Sequence, residues 1–90
     1  LDKRRDMATI IGAGGEMLPL TDLSLESLQR VVGRDIELVK LPDGARVVIN
    51  EEGSKQGLEV NRSASTMCGR RIFGNAVLLY KDDKIQERSQ

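Results

Sequence analysis

The side chains best placed for chemistry in this sequence are arginines. Arg62, Arg70 and Arg71 fall within one short stretch, 62-RSASTMCGRR-71, with Ser63, Ser65 and Thr66 between them. Guanidinium groups grip phosphate or carboxylate through paired donors, and small hydroxyls and glycine amides can complete such a cradle. Arg62, Ser63, Ser65, Arg70 and Arg71 are therefore the candidate ligand-binding residues, for an anionic small molecule such as a phosphorylated metabolite or nucleotide. The competing reading is that Arg70 and Arg71 flank a strand and reach water on their aliphatic stems. Cys68 lies beside two of these arginines, which could lower a thiol pKa. With no partner base and no second cysteine, a buried or incidental thiol is the simpler reading.

A second stretch, 8-ATIIGAGGEM-17, looks at first like a phosphate cradle. A dinucleotide fingerprint needs a third glycine where Met17 stands and a helix where Pro19 intervenes, and no Gly-Lys-Ser/Thr follows as in a P-loop. A turn between two strands explains Gly12, Gly14 and Gly15 by their freedom at positive φ. A backbone anion nest is the alternative.

Composition excludes whole classes of activity. The 90 residues hold no His and a single Cys, so neither a nucleophile–His arrangement nor a His/Cys zinc site can be assembled within the chain. Carboxylate sites for hard cations survive this filter. Asp43, Glu51 and Glu52 would carry a metal-dependent hydrolase, the one enzyme class the composition readily permits, although 50-NEEG-53 reads more simply as a solvated turn. No enzyme, no metal and no cofactor are expected. Fourteen basic and fourteen acidic residues cancel, and Phe73 and Tyr80 are the only aromatics, so nucleic acid is not an expected partner. No run is long and apolar enough to span a bilayer, and one free thiol fits a reducing cytoplasm.

The elements that must position these residues follow from pattern. A first hairpin spans 7–20, with Pro19 on an edge, where it need not donate a ladder hydrogen bond. Over 21-TDLSLESLQRVVG-33, Leu25, Leu28, Val31 and Val32 share one stripe, Asp22 or Ser24 can cap the start, and Gly33 can end the helix in the left-handed conformation. In 35-DIELVKLPDGARVVIN-50, two β-rich runs flank Pro-Asp-Gly, a turn signal. Residues 50–71 form a long polar connection, either a short helix plus turns or a functional loop. A final strand covers 72-IFGNAVLLY-80. The fold expected is α+β and two-layered: a single helix on a mixed β-sheet, in a β-grasp-like order of ββαββ plus a final strand. One domain occupies 7–81. Residues 1–6 read as a disordered leader or expression remnant, with Met7 as the natural start, and 82–90 as a flexible charged tail.

From the helix onward, 25-LESLQRVVGRDIELVKLPDG-44, 49-INEEG-53, 57-GLEVN-61 and 74-GNAVLL-79 resemble a family of small domains of unknown function common in phages, plasmids and other mobile elements. The resemblance carries no catalytic residues. It implies a small intracellular accessory protein that binds a host component or a small signalling molecule. The functional expectation is a non-catalytic binding module acting through a sheet edge or surface, with a protein partner or a second copy of itself. The alternative is the anion binder built on residues 61–71.

Overall fold

A computed structural model describes residues 8–86. Its elements are β1 (Thr9–Ile11), β2 (Met17–Pro19), α1 (Leu25–Val32), β3 (Ile36–Lys40), β4 (Arg46–Asn50), α2 (Arg62–Cys68) and β5 (Ala76–Leu79). Residues 1–6, expected to be a leader, Met7 and residues 87–90 of the expected tail lie outside the described residues.

Helix α1 begins where Ser24 turns its hydroxyl back to accept the amide of Ser27 at 3.1 Å, and Asp22 holds the amide of Ser24. That cap satisfies a backbone donor the first turn would otherwise leave open. Of the expected stripe, Leu28 and Val32 are buried, Val31 is half-buried and Leu25 faces solvent. The helix ends at Gly33, whose φ of 133° and ψ of 167° lie outside the left-handed helical well expected for it. A side chain there would strike the carboxamide of Asn50.

The strands form one sheet in the order β2-β1-β5-β4-β3, antiparallel at every pairing. The α+β class and the packing of a helix on the sheet are as expected, but the sheet is not mixed. Strand β5 enters between the two hairpins and runs against both β1 and β4. Alternation along the strands divides the core between two faces. Val48, Val77 and Leu79 meet Leu28 and Val32 of α1 on one side, while Val47, Ile49 and Ala76 meet Ala64 of α2 on the other. The single-helix, two-layer arrangement is thus corrected to three layers, because residues 50–71 contain a helix of their own.

Beyond β5 the chain stays attached. Ile85 packs on the α1 side of the core, Gln86 exchanges backbone hydrogen bonds with Leu23 and Leu25, and the Arg46 guanidinium donates to the carbonyls of Tyr80 and Asp83. The chain is therefore held as far as Gln86, past the boundary expected at 81.

Candidate functional site

The arginine stretch is organised by a residue that the sequence reading did not single out. Asn61 caps α2, its side-chain oxygen accepting the amide of Ala64 at 3.0 Å. Its side-chain nitrogen donates to the carbonyls of Ile11, at 2.9 Å, and Gly74, at 2.8 Å. The side chain is fully buried, so every polar atom of the carboxamide is used where water cannot substitute. One residue thereby ties the end of β1, the approach to β5 and the start of α2. The signal available in sequence was an Asn immediately before a serine-rich run, which is a cap pattern.

Helix α2 ends at Gly69, in the left-handed conformation with φ 68° and ψ 22°. Three residues later the buried Ile72 returns the chain to the core. Arg62 therefore stands at the start of the helix and Arg70 and Arg71 just past its end, all exposed, on a base fixed at both ends. Arg62, Arg70, Arg71, Thr66, Ser65 and Val60 surround an open depression of about 400 Å³ whose lining contains no carboxylate.

The five predicted residues are not all brought together. Ser63 faces a separate hollow of about 300 Å³, opposite Gly12–Gly15 of the first turn, which also borders Arg62. Ser65 borders the depression, but its hydroxyl donates to the Asn61 carbonyl at 2.7 Å and accepts the Ile72 amide at 2.8 Å. That hydroxyl braces the helix against the following segment. Arg70 sets its forked guanidinium against Glu37 of β3, at 3.3 and 3.4 Å, and both groups are exposed. Arg62 and Arg71 have no carboxylate partner among the described residues.

Cys68 does not become an activated thiol. Burial pushes its pKa up, and the neighbouring Arg70 pulls it down by less. The glycine stretch is a turn: the Gly12 amide donates to the Glu16 carbonyl at 2.8 Å, and Gly15 alone of the three glycines takes a positive φ, 98°. Gly12 and Gly14 have the exposed carboxylate of Glu16 folded over them. Asp43 sits in the β3–β4 turn, accepting the amide of Ala45, whereas Glu51 and Glu52 follow the far end of β4. Among the described residues no three His, Cys, Asp or Glu side chains gather as ligands for one ion. No helix among them is long and apolar enough to cross a membrane.

The two rims of the sheet differ in a way that matters for binding. Antiparallel partners alternate between pairs that exchange hydrogen bonds and pairs that do not. The Leu41 amide donates to Ala45, and the Glu51 amide to Asp35, which bracket β3. Residues 35, 37, 39 and 41 therefore turn their backbone toward β4, while Ile36, Leu38 and Lys40 turn theirs outward. The side chain of Leu38 is 43% exposed on that rim. On the opposite rim, the bonds from Gly12 to Glu16 and from Leu20 to Ala8 set the same alternation. Met17 and Pro19 there face outward, and Pro19 has no amide to offer. The β3 rim is open, and the β2 rim is blunted.

Residues 7–89 match the family model described as "Domain of unknown function (DUF3846)", and the chain belongs to that family. No curated protein and no solved structure matches it.

Proposed function

We propose that this DUF3846 domain is a non-catalytic binding module that receives an extended strand of a protein partner, or of a second copy of itself, along β3. What carries the reading is the outward-facing backbone of Ile36, Leu38 and Lys40 beside the exposed Leu38 side chain. Main-chain hydrogen bonds along a free rim supply affinity, and alternate side chains supply selectivity. The rim is also self-complementary. A two-fold axis at Leu38 pairs Leu38 with its own copy and Ile36 with Lys40, so no like charges are opposed. The likeness to domains common in phages, plasmids and other mobile elements favours the role of a cytoplasmic accessory protein of a mobile genome that engages a host component.

The discriminating variant is Leu38→Pro. It removes an amide that points away from the fold and so blocks strand addition while leaving the β3–β4 ladder intact. Light scattering on the eluting protein, together with capture of partners on immobilised protein, should show a dimer or a retained partner that the variant loses. A monomer without a retained partner refutes the proposal, as does a complex indifferent to Leu38→Pro.

A further inference from the structure

The depression beside α2 is distinct from the β3 rim, and its charge is out of balance. Arg62 and Arg71 have no carboxylate partner among the described residues, and Arg70 is held by the exposed carboxylate of Glu37. The chain carries no net charge. A concentration of three guanidiniums around one acid-free hollow is therefore a local feature, not the spill-over of a basic protein.

We propose that this hollow binds the phosphate or diphosphate group of a small molecule through Arg62, Arg70 and Arg71. The Arg70 fork already meets two oxygens side by side, through separate nitrogens at 3.3 and 3.4 Å. Two phosphoryl oxygens present the same spacing to a guanidinium, with more charge behind them. Glu37 is then an internal competitor, and the incoming anion takes its place on Arg70. The hydroxyls of Ser65 and Thr66 are engaged by the backbone carbonyls of Asn61 and Arg62, so the guanidiniums hold the anion without them. A volume of about 400 Å³ lies at the small end of ligand sites. A long polyanion is disfavoured by the neutral chain and by the absence of aromatic residues from the lining.

The test uses inorganic pyrophosphate as the probe, titrated calorimetrically into the full chain at low salt, with amide chemical shifts mapping the site. One site is expected, its shifts confined to residues 62–71 and 37, its affinity falling as salt is raised. Arg70→Ala and Arg71→Ala should each weaken binding about tenfold, the loss of one charge-assisted contact. Glu37→Gln should tighten it severalfold, a gain that a merely structural ion pair would not give. Arg34→Ala, an exposed arginine outside the hollow, is the control and should change nothing. The proposal is overturned if millimolar pyrophosphate does not bind, if Arg34→Ala weakens binding as much as Arg71→Ala, or if Glu37→Gln fails to tighten it. Tighter binding of a short single-stranded oligonucleotide than of pyrophosphate would also overturn it, in favour of a nucleic-acid surface.

Discussion

Replacing Asn61 by Ala removes three interactions at once, and the structure sets the size of the loss. The cap on α2 goes, at a cost of about 1 kcal/mol. The carbonyls of Ile11 and Gly74 lose their donor in a place closed to water, at about 1–3 kcal/mol each. Even at the low end the sum is about 3 kcal/mol, a large share of the roughly 5–10 kcal/mol available to a domain of this size. The melting temperature should fall by about 15 °C. Asn61→Asp separates the contributions, because it keeps the acceptor for Ala64 and loses both donors. At neutral pH it sets a buried negative charge against two carbonyl oxygens, so it should be at least as damaging as Asn61→Ala. Its folded pKa must lie above the unfolded one. The protonated form is then favoured by folding, and stability is lost as pH rises through the folded pKa. Asn61→Asp should accordingly recover part of its deficit in acid relative to Asn61→Ala. Urea denaturation followed by circular dichroism across pH measures both variants, with the exposed Arg62→Ala as a neighbour expected to stay within about 0.5 kcal/mol of the parent. A loss under about 1 kcal/mol for Asn61→Ala, or a fully stable Asn61→Asp at neutral pH, would show that the carboxamide is not the joint described above.

In protein dilute enough for light scattering to show a monomer, amide exchange should alternate along β3, with Glu37, Val39 and Leu41 protected and Ile36, Leu38 and Lys40 exchanging fast; protection at Leu38 in that monomer would mean that the backbone phase is reversed. Gly53→Ala should cost more than about 2 kcal/mol in urea denaturation, because the added methyl would lie 2.7 Å from the Phe73 carbonyl, whereas Gly57→Ala, with open space around it and a φ of 70°, should cost about 1 kcal/mol. Cys68 should react slowly with a disulfide reagent at neutral pH and faster once unfolded, and Arg70→Ala should slow it further by removing the charge that favours the thiolate. The raised folded pKa of Cys68 also means that its contribution to stability, present below the unfolded value of 9.0, is lost as pH climbs through the folded one.

What the sequence disclosed depended on how local the cause was. Pro42-Asp43-Gly44 and the apolar runs around it place β3 and β4, and Ser24 with Leu28 and Val32 places α1, because turn chemistry, capping and periodicity act within a few residues. Pro19 was legible as an edge residue for the same reason. Helix α2 was harder to see, since 62-RSASTMC-68 holds four residues that form helices poorly and buries only Ala64 fully. Its formation rests on Asn61, whose partners at Ile11 and Gly74 are distant in sequence. The final strand is shorter than the apolar run 72–80 suggests: Ile72 is apolar because it anchors the segment beside α2, and Gly74, at φ 86°, breaks the run before β5. The antiparallel sense of β5 depended on the path of residues 51–75, which no local pattern records. Arg62, Arg70 and Arg71 could be grouped by proximity alone, but Ser63 and Ser65 could not. Two steps along a helix turn a side chain through about 200°, and the two serines fall into different hollows.

The unequal rims also limit how far any assembly can grow. A filament needs each subunit to accept a neighbour on both flanks, so that one addition creates the seat for the next. Here the β2 flank lacks the Pro19 amide, so a copy or partner docked along β3 leaves behind no equivalent platform. If a strand docks along β3 as proposed, coupling through the sheet should stop at two bodies, and raising the concentration should saturate a finite complex rather than extend a fibre.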